Sequence, residues 1–166
     1  MNWKVCNLCC FIMMIPVLLG CGVYSMSGAT TDAQSITVNN FLNSGGGPPN
    51  LAQTLTEDLK SYYLQNTRLN IVNEGGELLV EGEIIGYQTT PLAPTADDRA
   101  AQTRLTINVA VRFTNNLHPE KDFDQTFTQF ADFDQDLSLA QVEGEKVQEI
   151  LEKIIYDIFQ KTVADW

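Results

Sequence analysis

Cysteine is missing from most of this chain. All four cysteines fall at or before position 21, as Cys6, Cys9, Cys10 and Cys21. Nothing beyond that point can form a disulfide, a thiolate metal site or a thiol nucleophile. Histidine occurs once, as His118, so no second imidazole can join it on a metal. Basic residues are scarce: 10 Lys and Arg stand against 21 Asp and Glu, for a net charge of −11. Such a balance repels phosphate, which argues against nucleic acid or an anionic membrane surface as partner. Long apolar runs are also rare. Only Val5 to Leu19 qualifies, and it is shorter than the roughly 20 residues that span a bilayer. Gly45-Gly46-Gly47 lacks the lysine that a phosphate-binding loop needs behind it. No nucleophile elbow surrounds any serine.

What the N-terminus does contain is a processing signal. Lys4 forms a short basic region, Val5 to Leu19 an apolar one, and Leu18-Leu19-Gly20-Cys21 reads as a lipobox. Small Gly20 stands before Cys21, as lipoprotein signal peptidase requires. Residues 1–20 are therefore expected to be a cleaved signal peptide. Cys21 is expected to carry diacylglycerol and an N-acyl chain, with no other cofactor. Cleavage discards Cys6, Cys9 and Cys10 and lipid consumes Cys21, so the mature chain has no free thiol. A single acyl chain holds weakly, whereas the three usual on such a cysteine hold firmly. Residues 21–33, small and polar apart from Val23, Tyr24 and Met26, read as a lipidated tether. Residues 34–166 read as one α+β domain.

Within that domain, Gln34 to Phe41 alternates briefly, with Ile36 and Val38 on one side and Thr37 and Asn39 on the other. Asn43 to Asn50 is a loop rich in glycine and proline. Asn50 and Gln53 resemble a capping box, and Leu51, Leu55, Leu59 and Tyr63 make one apolar helical stripe ending near Asn66. Leu69 and Ile71 begin an extended piece, broken at Asn73-Glu74-Gly75-Gly76. Leu78 to Tyr87 is a strand in which Gly82 and Gly86 mark a bulge or a close backbone approach. Thr89 to Ala101 reads as an exposed loop. Leu105, Ile107, Val109, Val111 and Phe113 then alternate with Arg104, Thr106, Asn108, Ala110 and Arg112, which is the pattern of a half-buried strand. A turn over Thr114 to Asp122 leads to a strand over Phe123 to Phe133. There Phe123, Phe127, Ala131 and Phe133 share a face and Phe130 points the other way. Ser138 and Gln141 form a second capping box. The helix behind it carries Val147, Ile150, Leu151, Ile154, Ile158 and Val163 on its apolar side.

The order is β-α-β-β-β-α. It predicts a two-layer α+β sandwich: a four-stranded mixed or antiparallel sheet with two helices on one face. The first strand, first helix and second strand suit a parallel crossover. The other sheet face, with Thr106, Asn108, Thr126 and Thr128, is left polar, to be wet or applied to a partner.

Five stretches in this order resemble one family. They are Cys21-Gly22-Val23-Tyr24-Ser25, Thr67-Arg68-Leu69, Glu81-Gly82-Glu83-Ile84-Ile85-Gly86-Tyr87, Arg104-Leu105-Thr106-Ile107 and Phe130-Ala131-Asp132-Phe133. Together they resemble the LptE lipopolysaccharide-assembly lipoproteins, in the branch found in Bacteroidota. The resemblance implies an α+β sandwich of two helices on a four-stranded sheet. It also implies a non-enzymatic role at the outer membrane, plugging the lumen of the LptD β-barrel, with which the family delivers lipopolysaccharide to the outer leaflet. It implies no ligand-binding residue, because Thr89 to Ala101 shows no family motif.

Other chemistries find weaker support in the residues. Asp132, Asp134, Asp136 and Glu143 occupy positions 1, 3, 5 and 12 of a calcium loop, but Leu137 stands where the sharp turn needs glycine. Acids that favour a helix N-terminus explain them better. His118, beside Pro119, reads as a solvated turn histidine. Glu81 and Glu83 share a strand face, as glycosidase carboxylates do, yet a solvated face is the commoner cause. Arg104, Thr106, Asn108 and Arg112 are the expected partner-facing residues. Arg99 and Lys121, in flanking loops, are candidate lipopolysaccharide contacts, although the acidic chain makes the glycolipid a weaker partner than the barrel. The alternative is a generic periplasmic lipoprotein binding another envelope protein or polymer, with a hydrolase third.

Overall fold

Alternation in the fifth strand sets the layers. The structure, a computed structural model, describes residues 31–93 and 101–163. Its strands are β1 (Ser35–Val38), β2 (Leu42–Asn43), β3 (Asn70–Ile71), β4 (Leu78–Pro91), β5 (Gln102–Asn115) and β6 (Phe123–Asp134). Its helices are α1 (Leu51–Asn66) and α2 (Leu139–Val163). In β5, Leu105, Ile107, Val109, Val111 and Phe113 are each at most 1% exposed, so this row is the floor of the core. Burying each such side chain is worth about 1.5–3 kcal/mol relative to exposure. β5 pairs antiparallel with β4 on one side and with β6 on the other. The sheet order is β3-β1-β4-β5-β6, with β2 also on β4. The sheet therefore has six strands rather than the expected four. The two extra strands hold two residues each, too few for any periodicity to show.

β1 runs parallel to both β3 and β4, as the crossover expectation required. Thr37, expected on the polar side, is nonetheless buried. Because β3 and β4 flank β1, the segment joining them has to pass over β1, and it covers Thr37. There the Gly76 N–H donates to Thr37 Oγ1 at 3.0 Å. A Cβ on Gly76 would lie 2.6 Å from the Thr37 nitrogen, which is why only glycine fits.

The bulge expected in β4 falls between Ile84 and Gly86. Ile85 is the extra residue and is left exposed. Inserting one residue exchanges the two faces, so Tyr87 rather than Gly86 turns inward beyond it. β4 then continues through Thr89, Thr90 and Pro91, which pair with Leu105, Arg104 and Thr103. The loop expected from Thr89 is thus strand for its first three residues. The hairpin partner supplies hydrogen bonds that local composition does not reveal.

Both helices cover the inner face. Leu51, Leu55, Leu59 and Tyr63 of α1 are buried, as their spacing predicted. Thr56 joins them, accepting the Phe41 N–H at 3.0 Å and donating to the Ala52 carbonyl at 2.8 Å. The Asn50 capping box does not form. The Asn50 side chain caps no N–H, and Gln53 donates to Glu57 at 2.8 Å. The second box forms in part: Gln141 Oε1 accepts the Ser138 N–H at 2.9 Å, but the Ser138 hydroxyl donates to the same oxygen. α2 buries Ile150, Leu151, Ile154, Ile158 and Val163, and Ile155, Phe159 and Thr162 besides. The Thr162 hydroxyl donates to the Ile158 carbonyl, so the Tyr63 phenol donates to Thr162 Oγ1 at 2.6 Å and joins the two helices. Among the described residues, no buried side-chain nitrogen or oxygen lacks a partner.

Candidate partner-binding face

The helix-free side of the sheet is built from cross-strand rows. Register places Glu81 beside Arg112 and Arg112 beside Asp124. The next rows are Glu83–Ala110–Thr126, Gly86–Asn108–Thr128, Gln88–Thr106–Phe130 and Thr90–Arg104–Asp132. Arg104, Thr106, Asn108 and Arg112 thus lie on one face, as the period of two in β5 predicted.

Both arginines and the Asn108–Thr128 pair on this face are already engaged. Arg104 Nε and Nη2 donate to the two Asp132 oxygens at 2.8 and 2.9 Å. Its guanidinium carbon sits 3.6 Å from the centre of the Phe130 ring, a cation–π contact. The Arg104 guanidinium holds the Asp132 carboxyl below the usual range, and the carboxylate raises Arg104 in return. Arg112 reaches Asp124 at 3.1 Å and Glu81 at 3.8 Å. Thr128 Oγ1 donates to Asn108 Oδ1 at 2.8 Å. Glu81, Glu83, Asp124 and Asp132 outnumber the two arginines, so the face as a whole is acidic. A shallow groove of about 480 Å³ crosses it, lined among others by Asn40, Leu42, Glu83 and Arg112. This arrangement suits neutral or basic hydrogen-bonding surfaces. It does not suit phosphate, because neither arginine is available without breaking an ion pair.

The remaining sequence candidates lie apart. Lys121 is exposed in a 3-10 turn, Pro119–Lys121, between β5 and β6. His118 precedes it as a turn residue, held by Asp32 at 2.9 Å and Glu120 at 3.3 Å. The hydrogen bond that the imidazole donates to Asp32 raises the imidazole pKa, and the same bond lowers that of Asp32. The calcium-loop acids diverge. Asp132 is taken by Arg104, and Glu143 Oε1 accepts the Tyr87 phenol at 2.6 Å. Burial and then that carboxylate push the Tyr87 phenol up. Gly20, Cys21 and Arg99, with the signal peptide and most of the tether, lie outside the described residues. The sequence pattern turns Phe130 away from the core, but Phe130, Asp124 and Asp132 are not among the expected partner-facing residues. The alternation in β6 put them there, but the pairing with the arginines depends on the β5–β6 register.

Over residues 33–163 the sequence matches the family described as LptE: Lipopolysaccharide-assembly. The fold is similar to that of an uncharacterized lipoprotein B from Nitrosomonas europaea, at 18% identity and a TM-score of 0.50, over 77% of this chain and 81% of that one. It is also similar to a protein from Xanthomonas campestris, at 5% identity and a TM-score of 0.51, over 77% of this chain and 84% of that one. At such identities the likeness is one of fold. No curated protein matches the sequence.

Proposed function

Because the chain belongs to the LptE lipopolysaccharide-assembly family, we propose that it is an outer-membrane lipoprotein, anchored through Cys21, that plugs an LptD-type β-barrel and assists it in inserting lipopolysaccharide into the outer leaflet. The observation that carries this reading is the family match across the folded part of the chain. The helix-free sheet face supports it. A barrel lumen is polar, and a plug meets it best with hydrogen-bonding groups such as Thr106, Asn108 and the paired Arg104 and Arg112. The role is non-enzymatic. Among the described residues, no helix is long and apolar enough to cross a membrane, and the lipid on Cys21 supplies the attachment. It also raises the effective concentration of the plug at the barrel. Lipopolysaccharide is the weaker partner, with Arg99 and Lys121 as its contacts, since the net charge of −11 opposes a polyanion.

The test is co-purification of the native, lipidated chain in mild detergent, which should bring a large β-barrel with it. Cys21→Ala should leave an unprocessed precursor in the inner membrane, and mass spectrometry of the mature N-terminus should show an acylated cysteine. A lipidated chain that brings no barrel overturns the reading. A free amino terminus at another residue overturns the anchor.

A further inference from the structure

Among the described residues, one long side of the sheet is unpaired. β6 ends the strand order, and it meets β5 without a bulge from Gln102↔Asp134 to Phe113↔Phe123. Lys153 Nζ, on α2, donates to the Phe130 carbonyl at 3.1 Å, so the backbone groups of Phe130 face away from β5. In an antiparallel ladder this direction alternates. The N–H and C=O groups of Asp124, Thr126, Thr128 and Asp132 therefore point the same way, and among the described residues no strand pairs with them. Asp124, Thr126, Thr128 and Phe130 are also exposed.

Edges of this kind are normally blunted by proline, a bulge or charge. β6 has neither proline nor bulge. Its charges stand only toward its ends, Asp124 on one side and Asp132 and Asp134 on the other, with the uncharged Gln125 to Ala131 between them. Lys153 covers one carbonyl. The acids also disfavour a second copy of this chain as the natural occupant. Two β6 strands paired about Thr128 would set Asp124 opposite Asp132, and like charges directly opposite repel.

We propose that β6 is a docking edge for an extended segment of a partner protein, which adds to the sheet as a further strand, with uncharged β-forming residues at its centre and basic residues at its ends. Main-chain hydrogen bonds to Thr126 and Thr128 supply the affinity, and the terminal acids select the basic flanks. This goes beyond the barrel reading and does not depend on it. A closed barrel wall offers no strand edge, so the docking segment is a loop or a terminus.

The experiment uses the full lipidated chain in mild detergent and a short synthetic peptide of alternating threonine and valine. The peptide carries lysines spaced as Asp124 and Asp132 are. Amide hydrogen exchange is read with and without it. The edge amides of Asp124, Thr126, Thr128, Phe130 and Asp132 should exchange fast alone and at least about tenfold more slowly with the peptide. Thr128→Pro removes an edge N–H and the exposed side-chain bond to Asn108 but no backbone bond to β5, so it should nearly keep the melting temperature and lose the protection. Lys153→Met frees the Phe130 carbonyl and should tighten binding. A peptide with aspartates in place of the lysines should bind at least about tenfold more weakly. Unprotected edge amides at millimolar peptide, or equal protection by the aspartate peptide, overturn the proposal. Should Thr128→Pro fail to fold, the comparison of the two peptides on the unsubstituted chain decides alone.

Discussion

Arg104 shows how one side chain is used twice. It forms both bonds of a fork with Asp132 and lies flat on Phe130, so neither its charge nor its ring-facing surface is left over. The buried counterpart is Tyr63, whose phenol is enclosed and bonded to Thr162. Tyr63→Phe removes the donor and leaves Thr162 Oγ1 with an unmet acceptor. It should cost about 1 kcal/mol by denaturant melting, with the fold unchanged. His118 gives a pH signature. Asp32 raises its imidazole above 6.5, while Asp32 itself is lowered below 3.8. Stability from the raised imidazole is fully present below pH 6.5 and fades as pH climbs through the folded value. Stability from the lowered carboxyl is present above 3.8 and fades as pH falls through its folded value. The clip is therefore at full strength between these limits. An NMR titration should find His118 titrating above 6.5 and moving back toward it in Asp32→Asn. A titration unchanged by that substitution would place the cause elsewhere.

At the scale of elements, the two helix starts differ in what holds them. α2 begins with Gln141 reaching back to the Ser138 N–H, whereas the Asn50 side chain caps nothing on α1. Gln141→Ala should therefore cost about 0.5–1 kcal/mol, and Asn50→Ala close to nothing. Equal losses in thermal melts would show that Asn50 caps α1 in solution. β4 depends on closeness rather than capping. The turn carrying Gly75, at φ +72°, and Gly76 passes over β1 and seals Thr37. A methyl on Gly76 would press on the β1 backbone, so Gly76→Ala should cost about 1–3 kcal/mol. Further along, the bulge turns Tyr87 inward onto Glu143 and ties β4 to the start of α2. Without that extra residue Tyr87 would lie on the opposite face.

For the molecule as a whole, one layer holds it together and the other meets its surroundings, and two substitutions in β5 separate the roles. Ile107→Asp buries an unpaired charge at a position 0% exposed and should unfold the domain by circular dichroism. Arg112→Asp, on the exposed face, should leave the isolated domain folded and weaken barrel co-purification. Full association with Arg112→Asp, and with other reversals on that face, would move the docking surface to the helices or loops. This division into faces was legible in the sequence. The alternation of Leu105 to Phe113, the fourfold stripe of Leu51 to Tyr63 and the apolar side of α2 each state locally which side meets the core. They suffice for two helices on one side of a sheet and for a polar row containing Arg104 and Arg112. Register and crossing lie outside that local information. Asp132 and Arg104 are 28 positions apart, and Tyr87 and Glu143 are 56 apart. Their pairing follows from the β5–β6 register in one case and from a single extra residue in β4 in the other. Thr37 reads as exposed in its own strand and is buried by a turn from elsewhere. The short strands β2 and β3 exist only because longer neighbours offer them hydrogen bonds. Periodicity records what a segment turns toward the core, whereas the partner of each polar group depends on which segments the fold brings alongside.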